Sequence, residues 1–245
     1  MKKLVIFVVL TLLFAMTSCT PGLNISVEED GEINYSFSAT LKDVVADTVR
    51  SFTGVPESVN LFNDQQIQDS LTESGLQNVS VALPDLLSVK ISGSIKASSK
   101  KDLQVEDRLP TVPGAIILTS EKQAANDIKT LELSLSKKVV SQVLESLPVE
   151  TVEYVDLLSA PIFTGEEISS LEYVELIGAI YGATVAKALE ESFVEINVSV
   201  PSSVRKAEAL FSNCNTNISG KSVEFVMPLA DFLTQNQEVS FVVQY

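Results

Sequence analysis

Histidine and tryptophan are missing from this 245-residue sequence, and cysteine occurs only twice. Without an imidazole the chain can assemble neither a Ser-His-Asp triad nor a Cys-His pair, and it offers no histidine ligand to zinc or haem. The expectation is a protein without a metal or other cofactor. Positive charge is scarce too: 17 Lys and Arg face 32 Asp and Glu, a formal net charge of -15. That balance argues against nucleic acid as a partner, because phosphates call for a basic surface. Two cysteines are too few for a disulfide framework. What is present is apolar: hydrophobic residues make up 45% of the chain, a globular composition. The length suits one domain or a duplicated pair of small ones.

The first stretch reads as an export signal. Lys2 and Lys3 precede Leu4–Met16, a run of 13 residues that is apolar apart from Thr11. A helix needs about 20 apolar residues to span a bilayer, so the run is a signal h-region rather than a span. Thr17 and Ser18 then lead into Cys19. MKKLVIFVVLTLLFAMTSC resembles a bacterial lipoprotein signal ending in a lipobox, with Met16 where Leu is usual. Looser lipoboxes of this kind are familiar in spirochaetes. The resemblance implies cleavage of residues 1–18, a diacylglyceryl group on the Cys19 sulfur and an acylated N-terminus of palmitate type. It also implies attachment to a membrane through those chains. Thr20, not Asp, follows Cys19, which under the usual sorting rule implies the outer membrane, with the periplasmic or surface face left open. The other reading is an ordinary cleaved signal peptide with Cys19 incidental. Lipid on Cys19 would leave Cys214 without an intramolecular disulfide partner. Loss of Lys2 and Lys3 takes the formal charge from -15 to -17. Anionic headgroups repel such a body, so lipid rather than charge would hold it.

After a short tether, residues 19–23, one domain over 24–245 is expected. Ile25 and Val27, then Ile33, Tyr35 and Phe37, flank the acidic turn Glu28–Gly31 as a hairpin. Val44, Val45, Thr48, Val49 and Phe52 fall at helical spacing before Gly54 and Pro56, and Asn63 or Asp64 caps a second helix carrying Ile67 and Leu71. Strands follow at Val79–Leu83 and Leu87–Ala97. Ser98–Pro113 is polar and charged, an exposed loop or an internal boundary. Ala115–Leu118 and Thr130–Ser136 read as strands, with helices marked by Val139–Leu147 and Thr151–Leu158. Ser170–Ser192 reads as one long helix, and Val194–Val200 as a strand. Val204–Phe211 and Val223–Met227 read as hairpin arms around a polar turn, Asn213–Lys221. Pro228–Leu233 suits a helical turn and Glu238–Tyr245 a last strand.

The order strand–helix–helix–strand occurs twice, which is consistent with an internal duplication of halves 24–97 and 114–245. Alternating rather than continuous apolar strands point to an α+β fold, a mostly antiparallel sheet with helices packed on one face. The C-terminal part, with Pro201, Val204, Gly220, Val223, Phe225 and Pro228, resembles the sheet of mycobacterial LppM-type lipoprotein domains. That resemblance implies an envelope α+β domain with lipid or glycolipid contact, and it assigns no residue a role.

Four patterns invite chemistry. Ser134-Leu-Ser-Lys137 has the S-x-x-K spacing of penicillin-recognising serine enzymes, without their companion motifs. Ser98 and Lys101 repeat the spacing. Glu28–Glu32 suggests a calcium loop but lacks the alternating ligands and terminal Glu of an EF-hand. Glu166-Glu167 and Glu190-Glu191 suit the acidic first turn and the exposed face of helices better than a glycosidase dyad. Gly178, Gly182 and Ala186 form a small-residue row suited to close packing or to a shallow groove floor. Cys214, among asparagines, has no base to make it reactive. The expected function is therefore a lipid-anchored, non-enzymatic envelope protein that binds a protein partner or an apolar ligand or serves envelope structure. Its alternatives are a lipid carrier or chaperone and an envelope hydrolase using carboxylates or the Ser134/Lys137 pair.

Overall fold

Alternation of apolar and polar residues builds most of the strands, and the polar partners of that alternation decide which face is left to water. A computed structural model describes residues 22–73, 76–96, 98–99, 116–123, 126–135, 161, 165–210, 212–235 and 239–245. The chain opens with strands β1 (Gly22–Val27) and β2 (Glu32–Thr40), then helices α1 (Asp43–Thr53) and α2 (Asp64–Glu73). Strands β3 (Gln77–Ala82), β4 (Ser88–Lys96), β5 (Ser98–Ser99), β6 (Ile116–Gln123) and β7 (Asn126–Leu135) follow. Helices α3 (Ser170–Tyr181) and α4 (Ala183–Glu190) lead to β8 (Phe193–Ser199), β9 (Lys206–Ala209), β10 (Asn215–Ser219) and β11 (Ser222–Pro228). A short α5 (Leu229–Leu233) and β12 (Val239–Gln244) complete the described chain.

The fold is α+β. Seven strands form one sheet in the order β10-β11-β8-β1-β2-β4-β3, and five form a second in the order β5-β6-β7-β12-β9. Neighbours are antiparallel except β1 with β8 and β5 with β6. The larger sheet buries one face: Ile25, Ile33, Phe37, Ile91, Ile196, Val198, Val223, Phe225 and Met227 are all at most 5% exposed. Leu131, Leu133, Phe241 and Val243 of the second sheet join that core, together with Tyr173 and Ile177 of α3 and Leu229, Phe232 and Leu233 of α5. Phe225 and Phe241 meet across the two sheets with ring centroids 5.0 Å apart and planes tilted by 58°, a favourable aromatic geometry. Elsewhere Leu41, Ala46, Phe62, Ile67, Leu71 and Leu76 are buried, and α2 packs against β3.

Local signals explain the boundaries. Gly31, at φ 88°, closes the β1–β2 hairpin as expected. Gly54 ends α1 in the left-handed conformation, its N–H bonded to the Arg50 carbonyl. Asn63 accepts the Gln66 N–H at 3.0 Å and so caps α2.

Three expectations are corrected. Ser170–Ser192 is two helices, because Gly182 takes φ 94° and ψ 158° between α3 and α4, a region open essentially to glycine. Asn213–Lys221 is not a turn: Asn215–Ser219 is strand β10 and pairs with β11. Val204–Phe211 does not face Val223–Met227, because β9 pairs with β12 in the other sheet. The β6–β7 pairing, Ile116–Gln123 with Asn126–Leu135, also reaches further than the short apolar runs suggested. In the first candidate repeat, β2 and β3 lie in one sheet, whereas β7 and β8 of the second lie in different sheets. The expected helices over 139–158 and most of the loop after Ser98 fall outside the described residues.

Candidate functional site

Of the residues singled out from the sequence, Cys19, Lys101 and Lys137 lie outside the described residues. The described residues begin three positions after Cys19. β1 starts at Gly22 and sits inside the larger sheet, between β8 and β2.

Ser134 is the penultimate residue of strand β7, opposite Ser240 of β12, and only 6% exposed. Lysine activation in S-x-x-K enzymes uses a helical turn to bring the two side chains together. Here Ser134 lies on extended backbone. Ser98 is likewise in a strand, β5.

The acidic turn uses its oxygens on itself. Glu28 Oε1 accepts from Ser26 Oγ at 3.2 Å and Asn34 Nδ2 at 3.0 Å, and Asp30 Oδ1 accepts the Glu32 N–H at 3.0 Å. Among the described residues no three Asp, Glu or Cys side chains are grouped as metal ligands would be. Glu190 and Glu191 are exposed at the end of α4, and Glu191 pairs with Lys187 at 3.6 Å. Glu166 and Glu167 lie in the exposed segment before α3 rather than in its first turn. That turn holds Glu172, whose carboxylate accepts the Ser169 N–H at 2.8 Å while the Ser169 hydroxyl accepts the Glu172 N–H at 3.2 Å. This reciprocal capping box lowers the Glu172 pKa, first through the bond from the Ser169 backbone and then through its hydroxyl.

Cys214 is half-buried, and burial pushes its thiol pKa up, against smaller lowering contributions from Thr216 and the Val226 backbone. Less thiolate means a weaker nucleophile. Tyr35 and Tyr173 are also held protonated by burial.

Gly178 and Ala186 do meet, but across the α3–α4 corner: a Cβ on Gly178 would lie 3.2 Å from the Ala186 Cβ. The small row serves close packing of two helices. An interior site for an acyl chain would leave accessible area on the side chains lining it. Ile33, Ile91, Leu131, Phe225, Leu229 and Leu233 have none, so these six side chains line no such site.

A surface feature went unread in the sequence. On the face of the larger sheet opposite the core, cross-strand neighbours form two polar rows. One runs Asn217, Glu224, Asn197, Asn24, Ser36, Ser92, Ser80. The other runs Ser219, Ser222, Ser199, Ser26, Asn34 and ends at Ser94, which is only 2% exposed and accepts from Asn78 Nδ2 at 3.1 Å. Glu224 is the one charge in them. The Glu28 carboxylate bonds to Ser26 and Asn34 at one end of the second row, and the remainder is a hydrogen-bonding surface of serine and asparagine. Ser and Asn are poor strand formers, so their density at alternate positions was a legible signal. Apolar side chains are also exposed on α3, with Leu171 66% and Ile180 53% accessible.

Two sheets of mixed topology that share one core, flanked by helices, define an α+β domain. Among solved structures it is similar to the folded domain of LppM from Mycobacterium tuberculosis, determined by NMR. The two share 12% identity with a TM-score of 0.39, over 93% of this chain and 90% of that one. No protein-family model and no curated protein matches the chain. A likeness of this degree assigns no residue a role.

Proposed function

We propose that the protein is a lipid-anchored, non-enzymatic component of a bacterial cell envelope, held at the outer membrane through Cys19, whose folded body binds a protein partner. One observation carries the anchor: Lys2 and Lys3, the 13-residue apolar run and Thr17-Ser18-Cys19 stand in the order of a lipoprotein signal. Two or more acyl chains give stable attachment where one alone is marginal. The start of β1 at Gly22 leaves only Thr20 and Pro21 between that cysteine and the sheet. Among the described residues no helix is long and apolar enough to cross a membrane.

A protein partner is favoured over an apolar ligand by where the accessible surface lies. Six central core side chains have no accessible area, whereas Leu171, Leu176 and Ile180 of α3 are exposed, as are Asn24, Asn34, Ser80 and Ser199 of the polar sheet face. The carrier reading would need an apolar space lined by residues other than these six.

Metabolic labelling with an alkyne palmitate analogue in a lipoprotein-processing bacterium tests the anchor. The chain is expected to take up label and partition into the detergent phase of Triton X-114, and Cys19→Ser is expected to lose both. An unlabelled wild-type chain, or label that survives Cys19→Ser, would sink the proposal.

A further inference from the structure

A strand at the edge of a sheet exposes unpaired backbone N–H and C=O groups, and proteins blunt such edges with charge, proline, bulges or brevity. Three of the four sheet edges in the described fold are blunted. β3 has a register shift between Gln77 and Ser80, with Asn78 at φ 55°. β5 is two residues long. β9 has four residues and carries Lys206 and Glu208. β10, Asn-Thr-Asn-Ile-Ser, has none of these devices. It is five residues long, uncharged and without proline, keeps unbroken register with β11, and is exposed along its whole length.

Its register identifies the open backbone groups. The two-residue turn Gly220-Lys221 closes the hairpin at Ser219 and Ser222. Gly220, at φ 60°, occupies the first central position, which a type II′ turn gives to glycine. The closing pair exchanges hydrogen bonds, and from there the antiparallel ladder alternates. Asn217 and Asn215 therefore bond to β11, while Thr216 and Ile218 turn their N–H and C=O groups to the open edge. Ile218 also leaves its side chain 45% exposed.

We propose that β10 pairs with β10 of a second copy of this chain, antiparallel, about a two-fold axis through Asn217. This register is self-complementary. It sets Thr216 of each copy opposite Ile218 of the other, so the outward backbone groups form about four hydrogen bonds. Each exposed Ile218 side chain gains a cross-strand neighbour. Asn217 faces its counterpart in a non-hydrogen-bonded pair, where side chains come closest. No charge opposes a charge within the paired strands, and two seven-stranded sheets become one. The acidic bodies repel, so pairing strengthens as salt screens them.

Disulfide trapping in the full chain tests the register. Non-hydrogen-bonded antiparallel neighbours have Cα atoms about 4.5 Å apart, within disulfide range. In a background with both native cysteines replaced, Cys19→Ser and Cys214→Ser, Asn217→Cys is expected to give a covalent dimer under mild oxidation. The background alone and Asn24→Cys, exposed in the middle of the same sheet face, are expected to stay monomeric. Adding Ile218→Pro removes an outward N–H and no bond to β11, and is expected to abolish the dimer. Sedimentation of the unsubstituted chain gives a readout that no variant's folding can affect, with a dimer fraction that rises with ionic strength. An Asn217→Cys chain that stays monomeric or cross-links to a different protein overturns the proposal. So does equal cross-linking through Asn24→Cys, or sedimentation as a monomer at every salt concentration.

Discussion

Tyr35 and Gly93 stand opposite each other on β2 and β4, and the tyrosine ring lies over the glycine. A Cβ at position 93 would clash with the Tyr35 hydroxyl and its ring carbon, with the Gln77 carbonyl 3.0 Å away. Gly93→Ala must therefore displace a largely buried ring. The expected cost is about 1–3 kcal/mol, the usual range for overpacking, read as a lower urea midpoint. Glu172 makes a pH-dependent contribution. Its folded pKa lies below its ordinary value of 4.5 because Ser169 bonds the ionised carboxylate. A lowered carboxylate pKa stabilises the fold above the ordinary value, and that contribution is lost as pH falls through the folded pKa. Glu172→Gln keeps the cap but removes the titration. Between neutral pH and a pH below 4.5, the thermal midpoint of the wild type is therefore expected to fall further than that of Glu172→Gln, because the wild type loses stability at this site and the glutamine does not.

Among the elements, the corner between α3 and α4 separates two ways of reading the same residues. Local propensity favours alanine over glycine inside a helix, so a single helix over Ser170–Ser192 would gain stability from Gly182→Ala. The fold places Gly182 at φ 94° and ψ 158° between two helices. An alanine there is strained, and the expected change is a loss of about 1–3 kcal/mol, measurable by chemical denaturation. A gain would restore the single helix. Periodicity could not detect this break, because the apolar positions of α3 and α4 remain in phase through the corner. Capping signals, by contrast, were legible: Asn63 before α2 and Gly54 after α1 act within one turn of chain. β10 was missed for a related reason. Its Asn-Thr-Asn-Ile-Ser has turn-like composition, and only pairing with β11 makes it a strand.

Across the whole molecule, the two sheets share one core, and Phe225 with Phe241 is its clearest joint. Phe241 is 1% exposed in the strand between β7 and β9. Phe241→Ala is expected to cost about 3–5 kcal/mol, the range for a buried aromatic. If the sheets fold as one cooperative unit, near-ultraviolet and far-ultraviolet circular dichroism should lose structure at the same denaturant concentration.

Composition and local order determined the charge, the absence of imidazole chemistry, the first hairpin, the capped helices and the α+β class. Each depends on residues within a few positions of one another, where chain geometry leaves few choices. Tertiary structure decided what distant segments do together. It put β1 beside β8, sent β9 to the second sheet, broke the long helix at Gly182 and buried Ser134 in a strand. It also aligned serines and asparagines from separate strands into continuous rows and left β10 open at the end of the sheet. Strand neighbours and register come from hydrogen bonds between segments far apart in sequence, so no local pattern carries them.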